Sequence, residues 1–321
     1  MPDSEANRAV YPKQTGQKEG LGFPIARMVV LLSLCTGMLC GMAIGRCEGK
    51  ETGEPALLRQ LLGCLKRGDI VLSDRFYCSY FMVCLLLELG VDFVVRLHQR
   101  RKADFTRGKR LGEGDHIVTW KRPERPEWMD EETYQRMPES IEVREILATV
   151  SNPGCRVKSL VVVTTLLDAK TYTKDDVAEL YHQRWLVELD IRAIKCTMDI
   201  DVLRCKSPEM VHREIWSALL AYNLIRKTIL EASCHGELGP RQLSFTAAMQ
   251  RIAASHQALL LVNETTAAAI IECHLTQLAC EEVGNRPNRV EPRAVKRRPK
   301  PHALLTKPRD EARAELLAGN A

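Results

Sequence analysis

Tyr181, Arg184, Glu188 and Lys195 are the residues whose types and spacing could do chemistry. At about 100° per residue, a helix would gather all four into an arc of roughly 60°. Arg184 would grip a phosphate with its planar fork, Lys195 would act as a point charge, and Tyr181 would donate a hydroxyl hydrogen. Glu188 adds a carboxylate to this stripe. Alternating charges a few residues apart also make a solvated, mutually paired helix face, so the charge pattern alone leaves both readings open.

The element that must carry the stripe runs from Thr173 to Lys195. Thr173 followed by Asp176 is a helix-start pattern, and neither Gly nor Pro interrupts the stretch. Trp185, Leu186, Val187, Leu189, Ile191, Ala193 and Ile194 cover most of the remaining circumference, which predicts a buried helix with its polar stripe facing a cleft. Gln183 and Asp190 fall on the far side.

A second acid, Asp74, ends the short apolar run D-I-V-L-S-D-R-F. An Asp in that position is also an ordinary turn or helix-cap residue. Around it the pattern predicts a hairpin over 26–45, a core-facing helix over 54–66, a strand over 69–76, a buried helix over 77–89 and a strand over 91–97. That succession makes an α/β layer, in which reactive residues gather at the carboxyl ends of strands. Residues 99–170 read as β-rich, with a basic loop up to Arg110, a strand over 117–121, a Pro-, Trp- and Arg-rich connection, and two strands flanking Asn152-Pro153-Gly154. Ser207-Pro208 opens a helix reaching about Ala232, and two further helices follow over 242–261 and 264–280. Residues 1–23 read as a loop, and the Pro-rich basic tail from Arg286 as extended and weakly ordered.

Tyr181, Arg184, Glu188 and Lys195 match in all three spacings the Tyr-Arg-Glu-Lys box of the insertion-sequence-four family of DDE transposases, which this chain resembles. V-L-S-D-R-F-Y is similar to that family's second-carboxylate motif, and I-W-S-A-L-L-A-Y-N-L-I-R to its following helix. The resemblance implies an α/β fold with a ribonuclease-H-like (retroviral-integrase-like) catalytic core, a β-rich insertion and a C-terminal helical region. On this basis 1–98 is expected to be part of the core, 99–170 the insertion, 171–232 the remainder of the core, 233–285 C-terminal helices and 286–321 a tail. Asp74 and Glu188 would be two of three metal-binding carboxylates, holding Mg2+ or Mn2+ in a two-metal site. Tyr181, Arg184 and Lys195 would hold DNA phosphates. Arg75, Arg100, Arg101, Lys102, Trp120, Arg297 and Arg298 are candidate further DNA contacts, and Trp120 and Trp128 could stack on an unpaired base or pack in a core. Asp69 resembles the leading, structural Asp of the Asp74 motif.

The implied activity is metal-dependent phosphodiester cleavage and strand transfer by a homodimer on double-stranded DNA, with transposon ends excised through hairpin intermediates. The family's first catalytic Asp lies on a strand expected upstream of Met1, as does its end-recognising helical domain. Asp3 is not expected to substitute, so the chain is expected to be an N-terminally truncated transposase, or one with a late start, inactive alone.

At 321 residues with 45% hydrophobic composition, the chain is long enough to bury a sizeable core. Its net charge of +5 is modest, but the basic residues cluster, which favours a polyanionic partner more than the total does, although any one cluster also reads as a solvated surface run; no small-molecule substrate is expected on the family reading. The twelve cysteines include no C-x-x-C pair, which fits free thiols in a reducing cytoplasm, bacterial and nucleoid-associated on the family reading. Two other readings stand beside the transposase. One is a non-catalytic, inhibitory DNA-binding fragment. The other is a small membrane protein anchored by Met28 to Ile44, a charge-free run of barely spanning length that fits two buried strands equally well; the family resemblance selects strands.

Overall fold

The computed structural model describes residues 1–13, 22–149, 159–284 and 306–318. The apolar run forms strands β1 (Ala26–Leu32) and β2 (Leu39–Arg46), an antiparallel hairpin in which Met28 faces Ile44. Gly37, in the connecting turn, has φ +74°, a conformation in which a side chain is strained. Val29, Leu31 and Ala43 pack toward helix α2 (Glu54–Arg59), whereas Met28, Val30, Met42 and Ile44 pack toward helix α7 (Pro208–Ser233). A hairpin covered on both faces needs apolar residues at successive positions, and this is what gave the run its membrane-like hydropathy. Among the described residues no helix is long and apolar enough to cross a membrane.

Among the described residues the second sheet has six strands: β3 (Ile70–Ser73), β4 (Asp92–Arg96), β5 (Lys109–Gly112), β6 (Asp115–Lys121), β7 (Ser140–Thr149) and β8 (Ser159–Thr164). They lie in the order β3-β4-β8-β7-β6-β5. β3 and β4 are parallel, joined through helix α3 (Tyr80–Glu88), and every other pairing is antiparallel. Because β8 pairs with β4, with Val163 opposite Val95, the strands of the 99–170 segment continue this sheet. Val83 and Leu86 of α3 are fully buried against Val71, Phe93 and Val95, each such side chain contributing about 1.5–3 kcal/mol.

Helix α5 (Lys174–His182) packs Val177 and Tyr181 on Val94, Ile146 and Val162 of the sheet. Its Thr173 cap is reciprocated by Asp176, as the sequence pattern predicts. α7 is the spine of the C-terminal half, capped by Ser207, with helices α8 (Phe245–Leu261) and α9 (Glu264–Leu278) packed against it.

Several expectations are corrected. The first residues are not all loop: Ser4 caps a short helix, α1 (Glu5–Val10), whose buried Asn7 donates to the carbonyls of Pro2 and Cys205. Lys109 and Arg110 belong to β5 and not to a basic loop, and the connection before β7 contains helix α4 (Glu131–Arg136). The tail is not wholly extended, since Arg309–Leu317 form helix α10. The Asn152-Pro153-Gly154 turn, Arg297 and Arg298 lie outside the described residues.

The largest correction concerns the helix from Thr173. It divides at Gln183 and Arg184 into α5 and α6 (Trp185–Arg192), then widens into a π-helical turn, Ala193–Thr197. At the junction Arg184, Leu186 and Val187 donate to carbonyls three residues back, a tighter winding than the α-helix on either side. The predicted apolar burial holds only in part, with Ala193 and Ile194 buried and Leu186, Val187 and Ile191 half-buried. Trp185 is 51% and Leu189 44% exposed, while Asp190, assigned to the far side, is 1% exposed and hydrogen-bonded to two arginines.

Candidate active site

Asp74 follows the last residue of β3 at the carboxyl end of the parallel pair. It is exposed and caps a 3-10 turn, Arg75–Tyr77, its Oδ1 accepting from the Arg75 backbone N–H at 2.6 Å. The cap and reactive readings of this residue are therefore compatible, because the second carboxylate oxygen remains available to solvent. Arg96 ends the neighbouring strand β4, one residue beyond the Ser73 and Val95 pair.

α5 brings Tyr181 to this strand end. Its ring is 7% exposed, and burial raises the hydroxyl pKa, with Asp74 raising it further and Arg184 and Arg96 opposing. The phenol accordingly stays protonated and able to donate. Arg184 sits at the α5–α6 junction with its guanidinium 5.9 Å from the Tyr181 ring centroid and donates to Glu188 Oε1 at 3.0 Å. Burial weakens the Arg184 charge, but Tyr181, Glu188 and Asp74 outweigh it and raise its pKa. Asp74, Tyr181, Arg184 and Glu188 thus form one electrostatically coupled group, with Arg96 at its edge.

The other sequence candidates divide. Lys195 is exposed on the π-helical turn, and the break before α6 removes the regular spacing that placed it on the stripe. Arg75 lies over the Phe76 ring at 5.9 Å. Arg100 and Lys102 are exposed, but Arg101 stacks over Trp120 at 4.0 Å, and Trp120 is 5% exposed, a packed core residue and not a free stacking platform. Trp128 is half-buried beneath Arg59, at 3.8 Å, and borders a 230 Å³ cleft with Phe76 and Phe81. Asp69 is structural, accepting from the Lys66 N–H at 2.7 Å. Asp3 is held by Arg8, Lys13 and Arg309, away from the strand end. Arg96 went unnoticed in the sequence, although its place at the end of the strand beside Asp74 was the available signal.

The donor chemistry fits a hard divalent ion, since both acids offer carboxylate oxygens. Asp74 has one oxygen engaged by a backbone N–H, and Glu188 has one engaged by Arg184, leaving one oxygen on each for a metal. Among the described residues no group of three or more His, Cys, Asp or Glu is gathered to hold an ion.

An acid at the end of a parallel strand is thus linked electrostatically to a helix-borne Arg–Glu pair in a mixed α/β fold. A family model described as "Transposase DDE domain" matches residues 5–224, and the chain belongs to that family. It is 29% identical over 305 residues to "Transposase InsG for insertion sequence element IS4" of Escherichia coli (strain K12), covering 93% of this chain and 65% of that protein. Over 65 residues it is 37% identical to "Putative transposase InsL for insertion sequence element IS186A" of the same strain and to "Transposase for insertion sequence element IS421" of Escherichia coli, in each case 20% of this chain and 18% of the relative. The chain thus spans less than two thirds, 65%, of the length of the InsG relative.

Proposed function

We propose that this chain carries part of the catalytic centre of an insertion-sequence DNA transposase with a ribonuclease-H-like core. Phosphodiester cleavage requires charge neutralisation and an activated attacking oxygen, and Mg2+ or Mn2+ bound at the site would supply both. Asp74 and Glu188 are the two acids that would hold metal. Arg184 and Lys195 bind and orient the phosphate, and Tyr181 donates a hydrogen bond to it. The coupling of Asp74 at a strand end to the Arg184–Glu188 pair carries this reading.

The remaining core is 1–98 and 171–232, with 99–170 as an insertion lying against DNA, 233–285 as C-terminal helices and 286–321 as a basic tail containing Arg297 and Arg298. Arg75, Arg100 and Lys102 are the further DNA contacts, and double-stranded DNA, both element ends and target, is the partner of a homodimer in the bacterial cytoplasm, associated with the nucleoid. A third acid would come on a strand between the hairpin and the larger sheet. The support for this is that β1 and β3 each have one edge without a strand partner among the described residues, while α2 packs against the hairpin and the turn after β3. Such a strand would supply the first Asp of the family motif.

A second reading, DNA binding without cleavage, is favoured by the engagement of Glu188 with Arg184. The readings separate in cleavage of a labelled, pre-nicked element-end duplex with Mg2+ or Mn2+, comparing this chain with a form extended upstream. Cutting by the extended form alone, lost in Glu188→Gln, supports a transposase centre that needs a third acid. Salt-sensitive DNA binding with no cutting by either form supports the second reading.

A further inference from the structure

Asp190 lies two residues beyond Glu188 and on the opposite side of α6, and it is the only residue of that helix that is fully buried. Its Oδ1 and Oδ2 accept from the two terminal nitrogens of Arg241 at 2.9 Å each, and its Oδ1 also accepts from Arg226. Arg226 Nε in turn donates to the Tyr222 hydroxyl at 3.0 Å, and that hydroxyl donates to the Gly37 carbonyl at 2.7 Å. Burial pushes the Tyr222 phenol up to about 12, so it remains a donor across the working pH range. Arg226 also lies 5.0 Å from the Phe245 ring centroid.

The cluster therefore ties α6 to α7, to the segment before α8 and to the tip of the β1–β2 hairpin. Gly37 is part of the fit: a Cβ there would collide with the Arg241 guanidinium and lie 2.8 Å from Arg226 Nε. Asn223 completes the attachment, accepting from the Leu39 N–H at 2.7 Å and donating to its carbonyl at 3.0 Å. Apolar packing anchors α6 only in part, since Leu186, Val187 and Ile191 are half-buried. Its large apolar side chains Trp185 and Leu189 face outward, and the buried apolar residues Ala193 and Ile194 come only with the π-helical turn that follows. An apolar contact tolerates a helix sliding or rolling, whereas a carboxylate gripped by two planar forks fixes direction as well as distance.

We propose that Asp190, held by Arg226 and Arg241, is the positioning residue for Glu188. The buried ion cluster sets the roll and axial position of α6, and so aims the Glu188 carboxylate toward Asp74. The proposal rests on the reading of Glu188 as a metal-binding acid.

The test uses the full chain bound to duplex DNA and two variants, Asp190→Asn and Arg241→Gln, the second keeping the Arg226 arm in case the first fails to fold. Amide hydrogen exchange over 185–192 and Mn2+ affinity by electron paramagnetic resonance are measured well below each variant's melting temperature. A control, Ile229→Val in the α7 core, lowers stability without touching the cluster.

The expected result is at least tenfold faster exchange in α6 and at least tenfold weaker Mn2+ binding in both cluster variants, with exchange over 215–229 within about threefold of wild type. Ile229→Val is expected to leave Mn2+ affinity unchanged, which a merely stabilising role for the cluster would not allow. Unchanged α6 exchange overturns the proposal, and so does faster exchange with unchanged Mn2+ affinity. If the wild-type chain takes up no Mn2+, the metal reading of Glu188 fails on its own, and the α6 exchange still decides whether the cluster holds the helix.

Discussion

Replacing Arg144 with Met removes the largest fully buried side chain among the described residues and tests how the antiparallel strands support the site. Arg144 on β7 donates to Asp115 Oδ1 at 2.8 Å and Oδ2 at 2.6 Å, and to the Tyr172 carbonyl at 2.6 Å, immediately before the Thr173 cap of α5. The substitution leaves the Asp115 carboxylate, 6% exposed, without its cation. Breaking such a pair from one side costs about 3–5 kcal/mol. At roughly 2–4 °C per kcal/mol for a large domain, the melting temperature should fall by about 6–20 °C. Removing both charges with Arg144→Met and Asp115→Leu leaves no orphaned ion, so the double variant should be more stable than Arg144→Met alone by at least about 1.5 kcal/mol in urea unfolding. Exchange at the start of α5 should also quicken in the single variant, because the Tyr172 carbonyl loses its donor. An Arg144→Met protein that melts within about 1 °C of wild type, or a double variant whose cost is the sum of the singles, would refute this reasoning.

Acid stability offers a second test, because the Thr173 hydroxyl and N–H hold the Asp176 carboxyl below the usual carboxylate range. A group with a depressed folded pKa contributes stability that is complete above its unfolded value, near 3.9, and is lost as pH falls through the folded pKa. Thr173→Val should thus shift the acid-unfolding midpoint upward while lowering neutral-pH stability by about 1 kcal/mol, as followed by circular dichroism. In DNA binding, Arg100→Ala and Lys102→Ala should each reduce the slope of log K against log salt by about 0.9, whereas Arg101→Ala should chiefly lower stability by uncovering Trp120. Salt titrations of fluorescence anisotropy distinguish the two outcomes.

The parts of the fold legible in the sequence were those set by local chemistry. The Thr173–Asp176 box, the Ser207–Pro208 start and the strand leading to Asp74 each depend on neighbours within a few residues, and each is present, the strand shortened to Ile70–Ser73. α6 was misread because an unbroken helix and a hydrophobic ring were assumed, while its orientation is fixed by an acid whose partners, Arg226 and Arg241, lie 36 and 51 residues away. No periodicity within the helix carries that information. β5 was hidden for a related reason: it is an edge strand, so Lys109 and Arg110 stay exposed and its sequence reads as loop. α1 escaped because its packing rests on the buried amide of Asn7, which bonds to Cys205 from the far part of the chain.

The central claim is that Asp74 and Glu188, brought together by different elements, are ligands of one metal-dependent site on DNA. It is tested most directly by titrating Mn2+ into the DNA-bound chain and into its Asp74→Asn and Glu188→Gln variants, with bound metal read by electron paramagnetic resonance. The account predicts that each substitution weakens Mn2+ binding at least tenfold, about 1.4 kcal/mol, while duplex affinity without metal is retained. Mn2+ binding that survives either substitution unchanged would contradict it.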